Sequence, residues 1–402
     1  MPFSTDISIV VVSCSSGAAP FLAEEIRALG LPVTWCGETA VETEGSLEDT
    51  MRLNLRLRTA HRVFYMIGEF HAEDPDELYA RLMRLPWENY IAPNGYFTVD
   101  TAVDTPTIRN EQFAALRVKD AVADRMRERC GQRPDSGNDA DGVGLFLHWT
   151  GPDAAIYLNT SGSSLSKRGY RTLPTVAPMR ETLAAAVVLA SGWKGEGLFL
   201  NPMCGGGTLA IEAAWIAQDR APGLLRDDYS FMHLLGFQRP AWRMMRQEAI
   251  AAIKTSLPGK IIASDIDGAT LRVAQAHAAA ASVEKLIEFD CCDMTCSPVP
   301  EAIPGSVIVM NPPYGARMGD AIKLRSTYAD LGAFFKKHSP GYRGYVFTAS
   351  PELAESVGLQ AEKSVPFFSG PLECRLLEFG GYDASRRNHT AGFPEEGAVT
   401  GS

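Results

Sequence analysis

The chain has 402 residues, 46% of them hydrophobic, and a formal net charge of −10. That length favours two or three domains, the composition is that of an ordinary soluble globular protein, and the acidic balance excludes a globally basic nucleic-acid binder. Eight cysteines are too few for a disulfide scaffold, and no apolar run reaches the length of a membrane helix or a signal segment, so a cytoplasmic protein with no membrane association is expected.

Residues 7–12 alternate β-branched side chains and predict a strand; 21–29 have helical spacing with Gly30 as a stop. Short strand signals follow at 33–43, then a helix near 46–58, a strand at 63–70, a helix at 75–85 closed by Pro86, and a strand at 96–102. A long amphipathic helix covers 110–130, the polar stretch 131–142 is expected to be a loop, and 143–149 and 154–159 form a hairpin around Gly151-Pro152-Asp153. This half predicts an α+β assembly. Between Arg109 and Arg133 seven basic residues oppose four acidic ones. That face, with Arg117, Lys119 and Arg125, is a candidate for phosphate binding, as is the second small cluster of Lys167, Arg168 and Arg171.

After Pro178 the pattern changes. An Ala-rich helix at 179–189 precedes strand (198–201), helix (208–217), strand (260–264), helix (268–279), strand (286–289), strand (306–310), helix (321–337), strand (343–348) and a late pair near 363–366 and 373–379. Strands alternating with helices predict a doubly wound, mostly parallel sheet. Residues 218–254, which carry Trp242, interrupt the alternation as an insertion with its own helices. Residues 383–402 are polar and Gly-rich and predict a disordered tail. Cys291, Cys292 and Cys296 cluster without a second Cys/His pair at metal-binding spacing, so buried thiols rather than a metal site are expected.

In open α/β sheets ligands sit beyond the carboxyl ends of the strands. The first of these ends is Asn201-Pro202-Met203-Cys204-Gly205-Gly206-Gly207-Thr208, a glycine turn into a helix that lets backbone approach a ligand closely. No Lys-Ser/Thr follows, which argues against a P-loop. The second ends in Ser264-Asp265-Ile266-Asp267, where Asp265 can hold two ribose hydroxyls or cap the next helix. The third is followed by Asp293 and Met294, with the Asp293 carboxylate able to accept from an adenine amine. The fourth ends in Asn311-Pro312-Pro313-Tyr314. The prolines remove two donors and fix their carbonyls, the Asn adds an acceptor, and the Tyr adds a flat face. Together they form a wedge suited to a planar group bearing an exocyclic –NH2. A nucleoside-bearing cofactor beside an amine acceptor accounts for all four ends at once.

This constellation resembles the class I S-adenosylmethionine-dependent methyltransferases that act on amino groups. Three further segments are similar to the THUMP-containing RNA methyltransferases: Leu165-Ser166-Lys167-Arg168-Gly169-Tyr170-Arg171; Ala177-Pro178-Met179-Arg180-Glu181-Thr182-Leu183-Ala184-Ala185; and Asn54-Leu55-Arg56-Leu57-Arg58-Thr59-Ala60-His61-Arg62-Val63. Within that family the resemblance is to the bacterial 23S ribosomal RNA guanine-N2-methyltransferases, in a stand-alone form. It implies a Rossmann-like methyltransferase domain (163–382) after a ferredoxin-like part (1–60) and a THUMP domain (61–162). S-adenosylmethionine would be held by Asn201, Pro202, Cys204, Gly205, Gly207, Thr208, Asp265, Ile266, Asp293 and Met294, and the base by Asn311, Pro312, Pro313 and Tyr314. The implied partner is RNA, 23S ribosomal RNA first and transfer RNA as the alternative.

The chain departs from the family pattern at three places: Asn201 stands for Asp, Gly206 for Ser, and Phe367-Phe368-Ser369-Gly370 lacks the Asn before the Gly. The first replaces a charge-assisted hydrogen bond by a neutral one, about half as strong. Competing readings are an adenine-N6 methylase, a protein-glutamine methyltransferase, and an RNA-binding assembly factor that no longer catalyses.

Overall fold

The computed structural model describes residues 6–108, 110–138, 142–175, 178–315, 321–338 and 340–380; Arg109 and the expected tail at 383–402 lie outside them. Two sheets organise the chain.

The first sheet is built from β1 (Ser8–Cys14), β2 (Val33–Cys36), β3 (Ala40–Gly45), β4 (Ala60–His71), β5 (Tyr96–Asp104), β6 (Asp135–Gly137), β7 (Val143–Thr150) and β8 (Asp153–Asn159), in the order β2-β3-β1-β4-β8-β7-β5-β6. With α1 (Ala19–Ala28) and α2 (Leu47–Arg56), β1 to β4 make a β-α-β-β-α-β ferredoxin-like unit. β4 continues past residue 60. It pairs with β1 on one side and β8 on the other, so the two N-terminal modules share one continuous sheet. α3 (Pro75–Leu82) and α4 (Glu111–Cys130) complete this half. α2 begins at Ser46 with a reciprocal capping box to Asp49, and α4 ends at Gly131 in the left-handed conformation that a side chain would strain. The loop expected at 131–142 contains β6, a three-residue strand parallel to β5. Its Asp-Ser-Gly sequence carries no strand signal; backbone pairing to the sheet edge makes it a strand.

The second sheet runs β11-β10-β9-β12-β13-β15-β14. Its strands are β9 (Phe199–Pro202), β10 (Ile261–Asp265), β11 (Ile287–Cys291), β12 (Val307–Met310), β13 (Arg343–Thr348), β14 (Lys363–Ser369) and β15 (Leu372–Phe379), with α5 (Glu181–Ala190), α6 (Thr208–Ala217), α7 (Arg239–Ala251), α8 (Gly268–Ala280), α9 (Ala321–His338) and α10 (Pro351–Glu355) around them. All pairs are parallel except those made by β15, which forms the expected hairpin with β14. Residues in β9 and β12 are fully apolar or buried, as strands covered on both faces must be.

The insertion at 218–254 ties the halves together. Trp242 packs on Tyr229 and Phe231, with ring centroids 5.5 and 5.0 Å away. Ser230 then bonds the backbone of Gly144, at the start of β7, at 2.6 Å. Asn54 in α2 is likewise buried and bonded to Thr160 and Ser161 beyond β8.

Candidate active site

The order of the second sheet reverses between β9 and β12, and this is where an open α/β sheet forms its crevice. The two strands pair only at Val307–Phe199 and Ile308–Leu200, then part. Asn201 fills the gap. It is fully buried, and its amide Nδ2 donates to the Val309 carbonyl at 2.8 Å, replacing the lost ladder bond. Its Oδ1 is buried with no partner among the described residues. At the neighbouring strand end Asn311 also presents a buried Oδ1 with no partner among them. An unpaired buried acceptor costs about 1–3 kcal/mol, a cost that native proteins tolerate chiefly at functional sites. Two of them at adjacent strand ends mark this crevice.

The glycine turn lies beside it. Gly205 and Gly207 have φ of +54° and +78°, and a Cβ on Gly205 would meet nothing within 4 Å, so the turn faces open space. The Asp265 carboxylate accepts from the backbone of Gly205 at 2.9 Å and of Asp267 at 3.0 Å. It is not the cap of α8; that role belongs to Asp267, which accepts from Ala269 and Thr270. Ile266 is 70% exposed, a large apolar surface next to this carboxylate. The Asp293 carboxyl is held below its usual range by the Thr295 hydroxyl and backbone N–H. Met294, by contrast, sends its side chain into the core of the second sheet. Cys204 is buried and its thiol is pushed well up by that burial. Pro202 is buried at the end of β9, and Thr208 begins α6.

Pro312 is buried, Pro313 is exposed and Tyr314 is half-buried. The Tyr314 ring meets Phe347 of β13 edge-on at 6.5 Å. Burial and the neighbouring Cys374 thiol raise its hydroxyl to about 12, so the ring stays neutral.

The basic clusters fare differently. Arg168 is 2% exposed and lies against the fully buried Glu212 at 3.5 Å, with its other nitrogens on the carbonyls of Leu165 and Arg58. It is an internal tie between α2 and α6 and cannot touch RNA. Arg171 bonds Met179 and the Thr208 hydroxyl and pairs with Glu181, so it braces the glycine turn from behind. Only Lys167 of that cluster is exposed. On α4, Arg117 pairs with Asp76 at 2.6 Å and Arg125 with both oxygens of Glu88, leaving Lys119 without an ion pair among the described residues. Spacing alone shows charge and not its partners. The cysteines also differ from expectation: Cys291 is exposed at the end of β11, the sheet edge, and Cys296 is exposed in the short turn that follows. Among the described residues no group of His, Cys, Asp and Glu could hold a metal ion.

One support of the site had no sequence signal. His277 of α8 is 1% exposed, with Nδ1 at 3.1 Å from the Gly206 carbonyl and Nε2 at 3.1 Å from that of Leu173. A single His on an Ala-rich helix looks like any other.

Residues 168–378 match the RMKL-like methyltransferase domain family, residues 10–64 the RlmL ferredoxin-like domain and residues 72–138 the THUMP domain. The chain belongs to the RMKL-like methyltransferase family. It is 41% identical over 371 residues, 90% of its length, to the ribosomal RNA large subunit methyltransferase K/L of Syntrophotalea carbinolica, and it spans about half (52%) of that relative. A solved putative methyltransferase complexed with SAH is 27% identical, with a TM-score of 0.85 over 94% of this chain and 100% of the other. A solved structure from Listeria monocytogenes described as a predicted N6-adenine-specific DNA methylase is 30% identical, with a TM-score of 0.85 over 94% of this chain and 97% of the other. The family membership makes the domain order expected from sequence, ferredoxin-like then THUMP then methyltransferase, that of the chain.

Proposed function

We propose that the protein transfers a methyl group from S-adenosylmethionine to an exocyclic amine of an RNA base, guanine N2 of 23S ribosomal RNA in the best-supported reading. A ribosomal RNA substrate places the reaction in the cytoplasm. The observation that carries the proposal is the unpaired, buried Oδ1 of Asn311 at the end of β12, beside the half-buried ring of Tyr314. The SAH complex of a 27% identical structure and the THUMP match support the donor and the acceptor class.

The residues of the crevice fit the cofactor. The glycine turn is open at Gly205, where there is room for a ligand against its backbone, while Gly207 packs closely on Ala274 of α8. Asp265 would take the ribose hydroxyls, Ile266 and Asp293 the adenine, and Asn201, Pro202, Cys204 and Thr208 would line the methionine end. Bound there, S-adenosylmethionine supplies a methyl group already activated by its sulfonium, so no covalent enzyme intermediate is required. What the chain adds is alignment and electrostatics. Asn311 Oδ1 and the Pro312 carbonyl accept from the two N–H bonds of the amine, which favours a pyramidal nitrogen and disperses the positive charge that develops on it. Tyr314 stacks on a base taken out of its helix. Lys167 and Lys119, with the THUMP match behind them, are the phosphate contacts this reading retains from the basic clusters.

Asn311→Ala lowers methyl transfer by about 10²–10³-fold while cofactor affinity stays within about twofold. Calorimetric cofactor titration and tritiated-methyl incorporation into RNA check both. Activity close to that of the parent would remove Asn311 from its role, and incorporation into DNA instead of RNA would favour the adenine-N6 reading that the Listeria relative's description raises.

A further inference from the structure

A cavity of about 240 Å³ opens where the ferredoxin-like unit meets the edge of the second sheet. Ser15, Ser16 and Thr39 line it from one side, His61 from the start of β4, and Arg180 and Phe368 from the other side. The seam around it is fixed. The Phe368 N–H donates to the Ser16 carbonyl at 3.1 Å across the two units. Gly17, at φ +86°, permits that approach, because a Cβ there would fall 2.1 Å from the Pro366 carbonyl. The cavity is therefore preformed by the docking of the two halves.

Its chemistry is that of an anion site. Arg180 is exposed and, among the described residues, its side chain makes no ion pair or hydrogen bond, unlike those of Arg117, Arg125, Arg168 and Arg171. It also stands at the N-terminus of α5, a ten-residue helix with no side-chain cap, where backbone N–H groups remain unpaired. The His61 Nε2 lies 3.2 Å from the Ser15 hydroxyl and 3.1 Å from that of Thr182. Burial first, and then the nearby Arg180 charge, hold the His61 imidazole down to about 4, so at pH 7 it is neutral. Arg180 is then the cation of the cavity, and the hydroxyls and imidazole are neutral partners. The Ser16 hydroxyl is already engaged by Glu38 at 2.7 Å and adds little.

The place matters as much as the chemistry. Phe367, next to Phe368, has its ring 6.3 Å from that of Phe347, which in turn lies 6.5 Å from Tyr314. Cys374, opposite Phe367 in the β14–β15 ladder, is the thiol beside the Tyr314 hydroxyl. The cavity is thus linked to the wedge through β14 and two successive ring contacts, Phe367 to Phe347 and Phe347 to Tyr314.

We propose that this cavity is a phosphate subsite that takes a phosphodiester of the RNA strand flanking the nucleotide presented to Asn311. Arg180 supplies the charge and forked donors, and Ser15, Thr39 and His61 supply neutral hydrogen bonds. It rests on the function proposed above. Its consequence is that the ferredoxin-like unit takes part in setting the register of the strand, so that the target base, and not its neighbour, reaches the wedge.

The test uses the full chain and an RNA that it methylates. Arg180→Ala raises the RNA Kd about tenfold and flattens the slope of log Kd against log salt by about 0.7–0.9, the loss of one phosphate contact. Cofactor affinity is unchanged, which also reports that the variant is folded. Arg180→Lys keeps the charge and restores the slope. Inorganic phosphate competes with RNA on the parent and not on Arg180→Ala. An unchanged Kd and slope in Arg180→Ala overturn the subsite, as does phosphate competition that survives the substitution. Phosphate binding that depends on Arg180 without any change in the RNA slope shows a free-anion site and overturns the RNA assignment. A parent enzyme that methylates no RNA overturns the proposed function itself, and the subsite with it.

Discussion

At the carboxyl ends of β9 and β12, two asparagines each bury an oxygen with no partner among the described residues, whereas along α4 the guanidiniums of Arg117, Arg125 and Arg127 are already paired with carboxylates. The first arrangement costs stability and keeps hydrogen-bonding capacity available for a ligand. The second costs little and leaves less for a ligand to gain, because each guanidinium must leave a carboxylate before it meets a phosphate. Local excess charge is therefore a weak guide to a binding face; it is two unpaired acceptors at adjacent strand ends, rather than unpaired burial as such, that mark the crevice, since Glu212 Oε2 and Gln218 Oε1 are also buried without a partner among the described residues. The same contrast separates Arg168, locked inside on Glu212, from Arg180, whose exposed guanidinium meets no partner among the described residues.

Four perturbations sharpen this contrast. The largest effect is expected at the buried tie. Arg168→Leu leaves Glu212 buried and uncompensated and destabilises the fold by about 3–5 kcal/mol. Removing both charges with Arg168→Leu and Glu212→Leu recovers most of that, and equilibrium denaturation of the single and double variants measures it. If Arg168 instead weakened RNA binding without loss of stability, its assignment as an internal tie would fail.

Next is Asn201→Asp. The amide donates to Val309, which a carboxylate cannot do, so the variant loses about 1–3 kcal/mol. An acid placed against a carbonyl in a buried site has a folded pKa above its unfolded one. The loss therefore grows as pH rises through the folded pKa, and melting temperatures at pH 5 and pH 8 reveal it. Stability equal to the parent at pH 8, with tighter cofactor binding, would show that Asn201 is a poor substitute for Asp rather than an anchor.

A smaller effect concerns His61. Its folded pKa, lowered to about 4 from 6.5, means that the unfolded chain binds more protons between those values. Stability contributed by the neutral imidazole is complete above 6.5 and is lost as pH falls toward 4. His61→Gln flattens denaturation midpoints across that window; an unchanged pH dependence would place the acid sensitivity elsewhere.

The smallest effect is at Arg125. Its bidentate pair with Glu88 is worth about 1 kcal/mol at most, and because the charge is already neutralised, Arg125→Ala shifts RNA affinity less than Arg180→Ala does. A larger shift in binding assays at matched salt would restore α4 as the main phosphate face.

Much of this was legible in the sequence. The alternation of strands and helices after residue 190, the glycine turn, and the Asn-Pro-Pro-Tyr wedge were visible because each depends on local chemistry: β-branched runs, positive φ, absent N–H donors. The fate of the arginines was not, because partners such as Glu212, Asp76 and Glu88 lie tens of residues away. The same holds for β6, held only by pairing to β5, for the cap of α8, which falls to Asp267 because Asp265 turns toward the glycine turn, and for His277 under that turn.

By itself, then, the sequence determined the elements, their order and the residue types at four strand ends, since these follow from backbone preference and periodicity over a few residues. Tertiary structure alone decided which polar atoms remain unpaired. The parting of β9 from β12 follows from the reversal of strand order within the second sheet, and the seam between Ser16 and Phe368 from docking the edge of that sheet on the ferredoxin-like unit; they leave Asn311 Oδ1 and Arg180 available to a substrate.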